Sequence, residues 1–344
     1  MADDKDIVEL GLNAALDSDA QSGKLSLNAK SRLIGAIDRL IGNAFDIPAT
    51  WFKSKSDRIE HEEQLRQEAR ELQLDTFKSM LADHSAKDAV RLLLAAQSHN
   101  IDKQINLEAV VRESADLIKN SPKLGSGSSS SDVEDSDPKQ LDEDWLNRFR
   151  SHAQKASSNE LRALWARVLA GEVGKPGSFS AASLRFVAEV DKKQAERCER
   201  LSKKVVNGTI YTDHNFLKGQ LFNDALALQA DGLIMGVSGS IQRPVELTKK
   251  GLGVIRSGKF ALFIEGSPGI LFHLDAWGVS DVGCEVFSLL PPPDDEANLK
   301  NIAQVVPKTS LTEIKLLTFS SEDYEDPTVI ASQSVWKKRQ GDKS

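Results

Sequence analysis

Apolar residues recur at three- and four-residue steps along most of the first two hundred positions. In SRLIGAIDRLIGNAF, Leu33, Ile34, Ile37, Leu40, Ile41 and Phe45 form one stripe, with Arg32, Asp38, Arg39 and Asn43 opposite. That period predicts an amphipathic helix over 31–45, and Pro48 marks its break. The charged run 57–81, with a Leu65, Ala69, Leu72 seam, predicts a long solvated helix or a short coiled-coil pairing. AKDAVRLLLAAQSHN and NLEAVVRESADLIKN predict a third and a fourth helix.

Residues 121–140, SPKLGSGSSSSDVEDSDPKQ, keep no apolar period. Such a stretch hides too little surface to offset its ordering entropy and reads as a disordered linker. It is expected to divide a helical segment, 1–120, from a helical bundle, 141–206. In that bundle Leu141, Trp145, Phe149 and Ala153 fall four apart, and Leu161, Leu164, Trp165, Val168 and Leu169 line the next helix. Ser157 with Glu160, and Asp191 with Gln194, have capping-box spacing. GEVGKPG should end the second of these helices, with Gly171 or Gly174 left-handed and Pro176 unable to continue. Ser178 or Ser180 should cap the helix that carries Leu184, Val187 and Val190.

Past residue 207 the pattern changes. LFNDALALQADGLIM predicts a helix and a turn, VSGSIQRPVELT a hairpin or wing, and LTKKGLGVIRSG a further helix. FALFIE, ILFHLDAW, CEVFSLL and EIKLLTF are short apolar runs between Gly, Pro and Ser and predict strands. Residues 331–344 read as a polar tail. The expected fold is mainly α with a C-terminal α+β portion: a helical bundle, then a winged-helix-like element and short strands over 207–330.

The run Asp144-Trp145-Leu146, Arg148-Phe149 and LRALWARVLAGEVGKPGSFS resembles a bacterial family catalogued as domain of unknown function 2806, most closely over about residues 100–205. The signature residues are Trp145, Phe149, Leu164, Trp165, Gly171, Glu172, Pro176, Gly177, Ser178, Phe179 and Ser180. IGNAFDIP is similar to the amphipathic start of that family and of abortive-infection alpha-type proteins. The resemblance implies a helical protein, supplies no catalytic residues, and links the chain to bacterial defence or mobile elements by analogy only.

Composition narrows the choice of function. The 344 residues carry 44 basic and 51 acidic side chains, a formal charge of −7. That balance argues against a chain given over to coating nucleic acid. No run reaches the length of a membrane-spanning helix, and the acidic start MADDKDIVEL has no signal-peptide core. Two cysteines, Cys198 and Cys284, make neither a disulfide framework nor a zinc site. A reduced, cytoplasmic location is expected.

Candidate chemistry is sparse. Gly171–Ser178 has glycines and a lysine before a helix, but it follows a helix, and Pro176 stands where a phosphate loop needs glycine. A structural turn is the expectation. Gly236–Gly239 and Gly266–Gly269 read as hairpin turns, the six histidines are scattered singly, and no metal or cofactor is expected. Arg197 and Arg200 beside Cys198 could activate an exposed thiol, although a passive core cysteine is the expectation. Lys192, Lys193, Arg197, Arg200, Lys203 and Lys204 crowd one stretch and could meet phosphates if a winged-helix-like element follows. A non-enzymatic interaction or scaffold protein with a protein partner or self-association is expected, with a nucleic-acid-binding regulator as the alternative.

Overall fold

The computed structural model describes residues 27–41, 87–120, 140–212, 218–239, 241–320 and 328–338, with single helical positions at 64, 67 and 71. The expected linker, apart from Gln140, and nearly all of the 57–81 run lie outside the described residues. The chain divides into two compact units at Ala188/Glu189. The division therefore falls some fifty residues beyond the Ser/Asp-rich stretch.

The first unit holds five described helices. They are α1 (Leu27–Ile41), α2 (Lys87–Asn120), α3 (Glu143–Ala153), α4 (Asn159–Gly174) and α5 (Ala181–Glu189, whose last residue falls past the division). The two helices expected before the linker are one, α2, 34 residues long. The polar residues between their apolar stretches do not break the hydrogen-bond ladder. The α1 stripe is buried at Leu33, Ala36, Ile37 and Leu40, and α1 packs on α2, α3 and α4. The N-terminal helices thus share a unit with α3 and α4.

Arginines close several helix ends, where the last carbonyls lack partners within the helix. Arg150 donates to the carbonyls of Arg39 and Leu40 at the end of α1. Arg32 donates to the Gly174 carbonyl at the end of α4, at 3.1 Å. Arg162, buried, donates from Nε to the Ala156 carbonyl at 3.1 Å and from Nη2 to Asn106 Oδ1 at 2.7 Å, tying α4 to α2.

α4 is enclosed more fully than a single stripe implies. Trp165, Val168 and Leu169 are buried as expected, but so are Ala166, Ala170 and Val173, while Leu161 is 39% exposed and Leu164 half-buried. Its cap is Ser158, which accepts from the Leu161 amide, one residue later than the expected Ser157.

The second unit opens with α6 (Lys192–Ser202), whose Asp191/Gln194 capping box forms as expected. Then follow β1 (Thr209–Tyr211), α7 (Gln220–Ala230), β2 (Ile234–Met235), β3 (Ile241–Glu246), β4 (Leu252–Ser257), β5 (Phe260–Gly266), β6 (Leu271–Val279), α8 (Asp281–Phe287), α9 (Asp295–Val305), β7 (Leu311–Phe319) and β8 (Val329–Lys337). In one antiparallel sheet β6 is the hub, pairing with β1, β2 and β3. The other runs β4-β5-β7-β8, also antiparallel. Ile255, Leu262, Ile264, Ile314 and Leu316 of the second sheet share a core with Phe272 and Leu274 of β6 and with Leu299, Ile302 and Ala303 of α9.

The expected α+β character of this end holds, with four corrections. The helix expected in LTKKGLGVIRSG is strand β4, because Gly253, Ile255 and Ser257 alternate inward. The strand expected in CEVFSLL is α8, whose Ser280 cap accepts from the Gly283 amide at 3.0 Å. The segment VSGSIQRPVELT supplies β3, which pairs with the distant β6 and not with its neighbour. The expected polar tail at 331–344 begins as β8, which pairs with β7.

Candidate functional site

α4 runs through Gly171 to Gly174, and the left-handed residue of the following turn is Gly177, at φ +87°. Neither Gly171 nor Gly174 takes that role. The turn is held from inside α4. Glu172, only 4% exposed, accepts from the Gly177 amide at Oε1 (2.6 Å) and from the Phe179 amide at Oε2 (3.0 Å). A carboxylate with amides on both oxygens is a strong acceptor pair, and here it fixes where the chain reverses. Ser178 Oγ donates to the Lys175 carbonyl at 2.6 Å, and Ser180 caps α5 by accepting from the Ser183 amide at 3.3 Å.

From α3, Trp145 reaches across and donates Nε1–H to the Phe179 carbonyl at 2.7 Å. Its ring stacks on Phe149 at 5.3 Å, Phe149 meets Trp165 edge-on at 5.7 Å, and His152 lies parallel to Trp165 at 5.6 Å. Asp142 sets the start of α3 by accepting from the Trp145 amide at 2.8 Å. Gly171 is required by a close approach, since a Cβ there would meet Phe179 Cε2 at 2.7 Å. Of the eleven signature residues, Trp145, Glu172, Pro176, Gly177, Phe179 and Ser180 line one cavity of about 500 Å³, with Gln140, Asp142, Asp144, Arg148 and Ala181. Phe149 and Trp165 lie behind it as aromatic backing. Leu164, Gly171 and Ser178 do not line it.

The basic stretch is partly spent on internal pairs. Arg200 binds the buried Asp224 of α7 with Nε at 2.7 Å and Nη2 at 3.2 Å, and Arg197 Nε lies 3.7 Å from the same carboxylate. The Asp224 hydrogen bond leads the causes that raise the Arg200 guanidinium above its ordinary value. Lys203 pairs with Glu199 at 2.7 Å, and that hydrogen bond and charge hold Glu199 below the usual carboxylate range. Lys192 and Lys193 are exposed, and Lys204 lines a cavity of about 150 Å³ with Tyr211, Thr212 and Asn298. Asp224 was not singled out in the sequence, although it is the sole charged residue of an otherwise apolar and amide-bearing helix.

Neither thiol is activated. Burial, with Asp231 nearby, pushes the Cys198 thiol up to about 12. Partial burial, then Asp281 and Glu285, raise Cys284 as well. Both shifts disfavour the nucleophilic thiolate. Among the described residues no group of three or more His, Cys, Asp or Glu is placed to hold a metal, and no helix is long and apolar enough to cross a membrane.

The architecture is thus a helical unit whose aromatic-clamped turn closes α4, and an α+β unit built of two antiparallel sheets. Residues 91–229 match the family described as Protein of unknown function (DUF2806), a span running from α2 to α7 and wider than the segment of strongest resemblance. Comparison with curated proteins and with solved structures gives no match.

Proposed function

We infer that this chain is a non-enzymatic, cytoplasmic interaction or scaffold protein that works through a protein partner or through self-association. One observation carries the reading. The polar groups of its family signature are engaged with one another: both Glu172 oxygens take turn amides, and the Trp145 indole takes the Phe179 carbonyl. Groups used in this way give the fold a rigid reversal and leave little reactivity to direct at a substrate. The test is light scattering of the full chain, joined to affinity capture from its own cytosol and crosslinking mass spectrometry. A defined assembly or a stoichiometric partner is expected. A strict monomer that retains no partner would overturn the reading.

A nucleic-acid-binding regulator with a winged-helix-like element is the second reading. The exposed Lys192 and Lys193 at the start of α6 favour it. The commitment of Arg197 and Arg200 to Asp224 narrows the basic surface it would use. A gel shift that weakens as salt rises is its expected signature; no shift at low salt would remove it.

A further inference from the structure

We propose that the cavity between the end of α6, β1 and α9 in the second unit binds a phosphate, either free or as the terminal group of a small monoester. The proposal goes beyond the interaction reading above and does not depend on it. The cavity measures about 150 Å³, below the roughly 300–1,000 Å³ of sites that enclose drug-sized molecules. It therefore suits a group of a few heavy atoms. Lys204 lines it just past α6, Tyr211 and Thr212 line it at the end of β1, and Asn298, Asn301 and Gln304 line it at three-residue steps along α9. Lysine, hydroxyl and amide side chains are the groups that hold phosphate oxygens in nucleic-acid complexes, and the same chemistry serves a free phosphate. Among the described residues, no acidic side chain lines the cavity.

The fold places these groups and leaves them unspent. Thr212 is 6% exposed, yet its hydroxyl makes no hydrogen bond among the described residues and belongs to the cavity wall. Lys204 has no ion pair there either, whereas Arg197, Arg200 and Lys203 of the same basic stretch are engaged by Asp224 and Glu199. Tyr211 packs against the core of the second unit. Burial raises its hydroxyl above the ordinary range, against the opposing charge of Arg243 on β3, so it stays a protonated donor at neutral pH. Asn298, equally buried, donates Nδ2–H to the Lys203 carbonyl at 2.7 Å, which fixes the amide and leaves Oδ1 as an acceptor. Several donors beside one fixed acceptor favour an oxyanion that still carries a proton. Phosphate keeps one close to neutral pH, and sulfate keeps none.

The experiment is isothermal titration calorimetry of the full chain at low salt, just below neutral pH. The probes are inorganic phosphate, glycerol 3-phosphate and sulfate, and circular dichroism verifies folding of each variant. Phosphate, the monoester or both should bind, and the tighter of the two names the source; sulfate should bind more weakly. Lys204→Gln and Gln304→Glu should each weaken binding by about tenfold or more. Lys192→Gln/Lys193→Gln, outside the cavity, should leave it unchanged. If Lys204→Gln fails to fold, Gln304→Glu decides, because its position is exposed. An oligonucleotide with 5′-hydroxyl ends carries diester phosphates alone and should not displace bound phosphate; displacement would make this a nucleic-acid contact and overturn the proposal. It is also overturned if neither phosphate nor the monoester binds, if sulfate binds as tightly, or if affinity follows Lys192 and Lys193 and ignores Lys204 and Gln304.

Discussion

Two buried carboxylates do opposite work in the two units. Glu172 in the first unit is held by neutral donors, the amides of Gly177 and Phe179, which cannot leave without unmaking the turn. Asp224 in the second is held by Arg200 and Arg197, whose side chains are about a third exposed and can turn outward to water. Their partners' freedom therefore separates them more than their burial does. A carboxylate that organises fixed backbone specifies a shape. One that gathers long cationic side chains joins two helices, here α6 and α7, and withdraws charge from the surface.

If that contrast is right, the largest loss comes from the aromatic arm of the Glu172 turn. Trp145→Ala removes the Phe149 stack and the indole hydrogen bond to Phe179, and should lower the stability of the first unit by about 4 kcal/mol in chemical denaturation. The transition of the second unit should stay in place. A single shared shift would show that the two units unfold as one and would break the comparison.

Glu172→Ala comes next, at about 3 kcal/mol, because it strands two backbone donors, one of them buried. Glu172→Gln should recover part of this, since its carbonyl oxygen can serve one amide while its NH2 opposes the other. Asp224→Ala should cost less, about 1–2 kcal/mol, because the released guanidiniums reach solvent. Salt should reduce the Asp224 effect and leave the Glu172 effect nearly unchanged. Equal salt dependence at both sites would erase the distinction.

How far these features are legible in the sequence follows from how local their causes are. The helices of the first unit and the Asp191/Gln194 box are written in spacings of three and four residues, and they form. The Trp145–Phe179 clamp joins residues 34 positions apart, and it shows in sequence only as an unusual signature with no stated partner. β4 was hidden because its inward positions include Gly253 and Ser257, so alternation is carried by Ile255 alone. α8 was hidden because a seven-residue apolar run fits either period, and its Ser280 cap is the signal that decides. The pairing of β3 with β6 depends on strands some thirty residues apart. No local pattern encodes it.

The smallest expected effect tests the turn itself, through two glycines that should fail for different reasons. Gly177 sits at φ +87°, and a Cβ there would meet nothing within 4 Å. Gly177→Ala therefore costs only the strain of a left-handed alanine, about 1 kcal/mol. Gly171 has no positive φ, but its added Cβ would press on the Phe179 ring at 2.7 Å. That ring is buried and has little room to give way, so Gly171→Ala should exceed Gly177→Ala in wild type. In a Phe179→Leu background, where the ring edge is gone, the Gly171→Ala effect should shrink while the Gly177→Ala effect persists. Denaturation of the four glycine variants against their two parent chains measures this directly. If the two glycines respond alike to the smaller side chain, close packing is not what the Gly171 position records, and the turn is set by backbone preference alone.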